Sequence, residues 1–143
     1  MKIILFAHQN WGVETIRTIL QTQHEIVQVF THPLDMDKNE KIWYDSVKDE
    51  CELHQISVKQ RIKLTNEDIS EINNLSPDLI LSVGWRRLIP NSIFQIPKFG
   101  TINMHEALLP QYRGFAPINW VLINGENSTG ITLHYIDETA DTG

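Results

Sequence analysis

The sequence predicts an α/β fold, one open and mostly parallel sheet with helices on both faces. Three observations predict it. Short apolar runs rich in β-branched residues alternate with helix-period stretches of ordinary length. Asp78-Leu79-Ile80-Leu81-Ser82-Val83 has the continuous apolar character of a central parallel strand. The chain has 143 residues, enough for one domain and too few for two of ordinary size.

Each element can be justified in turn. Lys2 to Ala7 is a short β-branched run and reads as a buried strand. His8 to Gly12 reads as a loop. Val13, Ile16, Ile19 and Leu20 recur at helical spacing and predict a helix from about Val13 to Gln21. Glu25 to Thr31 is the second strand. His32 to Lys41 holds Pro33 and charges without period, so it is a loop. Trp43, Val47 and Cys51 fall at i, i+4 and i+8 of a helix over Ile42 to His54, and a short strand follows near Ile56-Ser57-Val58. Thr65 caps a helix with acids in its first turn, and Pro77 ends it. After the strand at Asp78 to Val83, a loop through Gly84-Trp85-Arg86-Arg87 leads to a short helix near Pro90 to Gln95. Gly100 to His105 is a strand, and Glu106 to Ala116 a long loop. Pro117 starts a helix that reaches Gly125. Gly130 to Ile136 is the last strand. In such sheets ligands bind beyond the carboxyl ends of strands. The loops after Ala7, Val83, His105 and Ile136 are therefore the ones to watch.

Composition narrows the function. Hydrophobic residues make up 41%, which suits a globular core. No run approaches the ~20 apolar residues of a membrane span. The apolar start is too brief for a signal peptide. Cys51 is the only cysteine, which excludes an intrachain disulfide and a cysteine metal cluster and predicts a cytoplasmic setting. A net charge of −6 argues against general nucleic-acid binding. Yet Trp85 to Arg113 carries Arg86, Arg87, Lys98 and Arg113 against Glu106 alone, a local basic segment suited to a small anion.

Three stretches carry chemistry. Asn103 and His105, at i and i+2 of a strand, share a face. The imidazole there can act as a base or donate to an oxyanion, and the amide can donate to the same oxygen. A core histidine and a loop-capping asparagine would look the same. Leu108 to Pro117 is a loop stiffened by two prolines and a glycine, with Arg113 placed for an anion or a carboxylate, or else a rigid connector. Asp137 to Gly143 places three acids after a strand, where they could bind Mg²⁺, titrate together or be solvated.

Taken together these stretches carry a resemblance. Asn103-Met104-His105, Leu108-Leu109-Pro110-Gln111-Tyr112-Arg113-Gly114, Ala116-Pro117, Asn124-Gly125-Glu126, Thr129-Gly130-Ile131-Thr132 and Asp141-Thr142-Gly143 resemble the 10-formyltetrahydrofolate-dependent formyltransferases, in that order. The resemblance implies a Rossmann-like catalytic domain over residues 1–143, incomplete at its C-terminus. It implies a catalytic triad of Asn103, His105 and Asp141. Asn103 and His105 would bind the oxyanion as a primary amine attacks the formyl carbon. Asp141 would orient His105 and assist proton transfer. It implies 10-formyltetrahydrofolate as cosubstrate and no metal. The pterin would lie near Trp85, Arg86, Arg87 and Leu88 and near Ile136, Asp137, Glu138 and Thr139.

The first loop speaks to the amine. His8-Gln9-Asn10-Trp11-Gly12 is not the Gly-rich phosphate loop of glycinamide-ribonucleotide formyltransferases, nor the Gly-Thr-Pro-like start of methionyl-tRNA formyltransferases. Phe6 to Gly12 instead is similar to sugar-nucleotide N-formyltransferases, as are Thr31-His32-Pro33, Lys41 to Val47 and Ser82 to Ile89. The expected acceptor is a dTDP- or UDP-linked amino-sugar of the kind found in lipopolysaccharide O-antigens, with Asn10, Trp11 and Arg113 as contacts. Expected partners are the sugar nucleotide and folate, with no nucleic acid and no membrane, and with room for a homodimer through the missing C-terminal region. The alternatives are a methionyl-tRNA formyltransferase or other folate-dependent formyltransferase or hydrolase, and a non-catalytic folate- or nucleotide-binding fragment. The family's domain continues past Asp-Thr-Gly, so these 143 residues alone are expected to be weakly active or inactive.

Overall fold

β1 (Lys2–Ala7) lies at the centre of the sheet, and Ile3 to Ala7 are all buried. The computed structural model describes residues 1–34 and 43–143. Around β1 follow α1 (Gln9–Leu20), β2 (Glu25–Thr31), α2 (Val47–Leu53), β3 (Val58–Gln60), α3 (Asn66–Leu75), β4 (Leu79–Val83), α4 (Asn91–Phe94), β5 (Thr101–His105), α5 (Pro117–Ile123) and β6 (Thr132–Tyr135). The described strands form one sheet in the order β3-β2-β1-β4-β5-β6. β3 to β5 pair in parallel, and β6 runs antiparallel against β5. The α/β reading therefore holds. Among the described residues no helix is long and apolar enough to cross a membrane.

Strand alternation divides the core. Ile3, Leu5 and Ala7 face α1 and α2 and pack with Val13, Ile16, Val29, Val47 and Cys51. Ile4 and Phe6 face the other way and pack with Phe30, Ile72, Ile80 and Ile93, the last two faces being closed by α3 and α4. Phe6 stacks on Phe30 with ring centroids 5.0 Å apart.

Several boundaries differ from the sequence reading, for physical reasons. α1 begins at Gln9 rather than Val13. Its first turn does not supply the apolar stripe, because Trp11 stays 42% exposed. α2 begins at Val47, where the Ser46 hydroxyl accepts the Asp49 amide. Trp43 lies outside that helix and is exposed, and the predicted start at Ile42 falls outside the described residues. β3 lies two residues later than expected, set by its pairing of Val58 with Val29. α3 matches its prediction: the Thr65 hydroxyl accepts the Asp68 amide and the Asp68 carboxylate accepts the Thr65 amide, a reciprocal cap.

Two parallel strands whose helices leave on opposite sides part at their carboxyl ends, and β1 and β4 do so here. Gly84 ends β4 at φ 70°, and a Cβ on it would lie 2.9 Å from the His8 carbonyl oxygen. Only glycine lets the two strand ends close together at this point.

Candidate active site

Register places the site. Phe30, Phe6, Ser82, Asn103 and His134 form one row across five strands. α3 and α4 cover the start of that row. α4 is only four residues long, so the row beyond Ser82 is left open. A cavity of about 1290 Å³ lies over it, with Ser82, Asn103, His105 and His134 in its wall. That exceeds the roughly 300–1,000 Å³ typical of a single small-molecule pocket.

The chain after β6 folds back over this floor and delivers Asp141. Asp141 Oδ2 accepts the Gly114 amide at 2.7 Å and lies 3.6 Å from His105 Nδ1. Its Oδ1 lies 3.3 Å from His134 Nε2 and accepts the Asn103 side-chain amide at 3.4 Å. The three residues expected from the sequence thus meet at one carboxylate.

Hydrogen-bond partners orient both imidazoles. His105 Nε2 lies 2.8 Å from the Tyr112 carbonyl oxygen, and donation there turns Nδ1 toward Asp141. His134 Nδ1 lies 2.8 Å from the Tyr135 carbonyl oxygen, which leaves Nε2 to meet the Asn103 amide at 3.3 Å. Both rings are buried. Each therefore turns its second nitrogen toward Asp141, at 3.6 Å for His105 and 3.3 Å for His134. Glu106 also lines the cavity, and burial pushes its carboxyl above the usual range.

His134 has no place in the sequence reading. Its strand was legible, but not the antiparallel register that sets it opposite Asn103. The alternation Thr132-x-His134 on a strand was the one available signal. Thr132 supports the neighbouring loop: its hydroxyl donates to the Ala107 carbonyl at 2.7 Å and accepts the Leu109 amide at 3.1 Å.

The loop after β4 forms a second wall. Trp85 stacks on His32 with centroids 3.8 Å apart and meets Phe6 edge-on. His32 Nδ1 lies 2.7 Å from the Arg61 carbonyl oxygen, while Nε2 accepts the Arg86 amide at 3.2 Å. A neutral ring meets both demands, and burial pushes the His32 imidazole down accordingly. Arg86, Arg87 and Leu88 line the cavity, and Leu88 is 80% exposed. A shallower cavity of about 450 Å³ shares Trp85, Arg87 and Leu88 and adds Lys63. Ile136, Asp137, Glu138 and Thr139 form the facing wall.

At the β1 end the wall is built by Gln9, Trp11 and Trp43. The other two expected acceptor contacts lie elsewhere. The Asn10 side chain accepts the Asp45 amide at 2.7 Å and so ties α1 to the approach to α2. Arg113 is exposed outside the cavity wall, although Gly114 and Phe115 beside it line the cavity. Gln9, Tyr112, Ala116 and Asp141 all have left-handed backbone, with φ of 56°, 57°, 54° and 55°. Non-glycine residues held this way gather at functional sites. Among the described residues no group of three or more His, Cys, Asp or Glu could hold a metal ion.

Known proteins resemble this chain in sequence and in fold. The family profile described as "Formyl transferase" matches residues 1–143. A methionyl-tRNA formyltransferase from Alkaliphilus oremlandii (strain OhILAs) is 42% identical over 145 residues, covering all of this chain and 47% of that protein. The bifunctional polymyxin resistance protein ArnA of Wigglesworthia glossinidia brevipalpis is 39% identical over 144 residues, covering all of this chain and 22% of that protein. The chain thus spans less than half the length of these relatives. The crystal structure of phosphoribosylglycinamide formyltransferase from Bacillus halodurans superposes with a TM-score of 0.75, at 21% identity, over all of this chain and 75% of the other. That likeness shows the shared fold.

Proposed function

Because this chain belongs to the formyl transferase family, we propose that it moves a formyl group from 10-formyltetrahydrofolate to a primary amine. The observation that carries this is the meeting of Asn103, His105 and His134 on the Asp141 carboxylate at the cavity floor. Acyl transfer needs donors where the oxyanion forms, and a group that takes a proton from the nucleophile and returns one to the leaving group.

The side chains divide that work. As the amine nitrogen bonds to the formyl carbon, the Asn103 side-chain amide donates to the oxygen that gains charge, joined by His105 through Nδ1, the nitrogen that its bond to the Tyr112 carbonyl leaves facing the cavity floor. Asp141, with His105 beside it, takes the proton the amine sheds. The same pair returns a proton to the folate nitrogen as its bond to the formyl carbon breaks, and tetrahydrofolate leaves. The facing walls at Trp85 to Leu88 and Ile136 to Thr139 hold the flat pterin. Arg87 and Lys63 suit the carboxylates at the other end of the folate. The cavity is large enough for two reactants.

The acceptor best supported is the amine of methionyl-tRNA, the substrate class in the name of the 42%-identical relative. Charge does not oppose it, since more than half of that relative lies outside the matched stretch. A nucleotide-linked amino-sugar is the second reading, favoured by Phe6 to Gly12 and by the ArnA relative. Either acceptor places the enzyme in the cytoplasm.

The test is direct. The full-length protein is purified and mixed with 10-formyltetrahydrofolate and either methionyl-tRNA or a panel of amino-sugar nucleotides, and products are weighed. A product heavier by one formyl group identifies the acceptor. Absence of formyl transfer to every amine overturns the reading. Near-wild-type turnover by Asp141→Asn removes the proposed base, and near-wild-type turnover by His105→Ala removes the proposed donor beside it.

A further inference from the structure

We propose that Asp137 is a positioning residue: it clasps the segment that carries Asp141, and does so through one acceptor oxygen rather than through its charge. The proposal rests on the formyl-transfer reading for its link to turnover, and on hydrogen-bond geometry for the clasp.

Asp141 is the one member of the site that no strand or helix holds. It follows β6 by six residues and has left-handed backbone. Its side chain must nevertheless reach four partners, on β5, on β6 and on the loop before α5. Asp137 Oδ1 closes that segment on itself. It accepts the Thr139 amide at 3.0 Å, the Thr139 hydroxyl at 3.3 Å and the Thr142 hydroxyl at 2.6 Å. The Thr139 and Thr142 hydroxyls also contact each other, and Thr142 Oγ1 lies 3.3 Å from the Thr139 carbonyl oxygen. The clasp thus binds the residues on either side of Asp141 to one atom.

Beyond Asp141 the segment passes close against the end of β6. Gly143 lies so close to β6 that a Cβ on it would meet the Tyr135 carbonyl oxygen at 1.8 Å. Glycine alone permits that approach. Between the clasp and this contact, Asp141 is left little freedom. The Thr142 and Thr139 donors hold the Asp137 carboxyl below its ordinary range, so the acceptor persists across neutral and mildly acidic pH.

All three bonds go to Oδ1, and an asparagine carries an acceptor oxygen at the same place. This separates clasping from charge. If the clasp is what matters, Asp137→Asn recovers most of what Asp137→Ala loses, and Thr142→Ser recovers most of what Thr142→Val loses. If Asp137 meets a ligand by its charge, Asn fails like Ala.

Two measurements decide, the first independent of activity. Gly114 donates its amide to Asp141 Oδ2 from a loop distant in sequence. In Asp137→Ala, amide exchange at Gly114 should speed up about tenfold, and in Asp137→Asn it should stay within about threefold of wild type. Unchanged Gly114 exchange in Asp137→Ala overturns the clasp. The second is formyl transfer. A misplacement on the order of 1 Å costs about 100-fold in rate. The Ala and Val variants should therefore lose roughly 10- to 100-fold in kcat, with KM for the amine unchanged, and Asn and Ser should each recover most of that loss. Wild-type kcat in Asp137→Ala, or equal loss in Asn and Ala, overturns the proposal. Should the wild-type protein transfer no formyl group at all, the functional reading fails, and the exchange at Gly114 still judges the clasp.

Discussion

His134 meets the Asn103 amide through a single ring nitrogen. That contact fixes which way the amide points, and therefore where its donors stand relative to a formyl oxygen. Replacing His134 with Ala should leave the chain folded, since what is lost is its polar contacts to Asn103, Asp141 and the Tyr135 carbonyl and neither apolar cluster of the core. It should lower kcat by about 10- to 100-fold, because a donor freed to rotate is no longer preorganised. His134→Gln, with a side-chain acceptor, should lose less. Steady-state kinetics of the two variants check the ranking, and equal activity of wild type and His134→Ala would remove this role. The residue shows why part of the site was hidden in the sequence. Asn103 and His105 share a strand, so their common face follows from alternation alone. The distance from His134 to Asn103 depends on strand register, which no local pattern encodes.

At the scale of elements, the long loop before α5 does more than connect. Tyr112 is anchored by its hydroxyl, which donates to Glu126 at 2.7 Å, while the Asn124 amide approaches it at 3.5 Å. Its carbonyl oxygen in turn takes the His105 ring proton. The anchor at the end of α5 thereby sets the orientation of a ring at the end of β5. Tyr112→Phe deletes only the hydroxyl. It should reduce kcat several-fold without changing the melting temperature by more than about 3 °C, because the lost bond is exposed and contributes about 1 kcal/mol or less. Thermal unfolding and turnover measured on the same sample check both halves. The ordinary elements were legible because their signals are local: the Thr65–Asp68 cap, Pro117 at a helix start, and the apolar run of β4. The first turn of α1 was not, since it faces the cavity and lacks an apolar stripe.

The whole molecule responds to acid in two stages. Burial depresses the His32 imidazole below its ordinary 6.5, so the stability from its neutral ring is full above that value and is lost as pH falls from there through the folded one. Below this, buried Asp68 comes into play. Burial raises its pKa, but the Arg61 guanidinium at 2.9 Å and the Thr65 groups outweigh burial and hold it below the usual 3.8. Its contribution is present above 3.8 and lost as pH falls through the lower folded value. Urea midpoints should therefore decline first below about pH 6.5 and again below about pH 4. His32→Gln should abolish the first decline and leave the second, and retention of both in that variant would show the assignment to be wrong. The fold class and the three expected site residues could be read from the sequence, because alternation and motif order are properties of a chain. The shape of the cavity could not, because it depends on which helix stops short.

That brevity of α4 has a consequence for how such enzymes diversify. The chemical groups stand on a sheet face exposed by a missing helical turn, so their spacing is fixed by strand register. The wall at Gln9, Trp11 and Trp43 belongs to a different strand end. Floor and wall stand on different strand ends, so on the proposed reading substitutions in α1's first turn or at Trp43 should change which amine is accepted and leave the groups around Asp141 in place. For a protein engineer the same partition is a rule of where to cut, with the β1 end open to grafting and the β5–β6 pair left untouched.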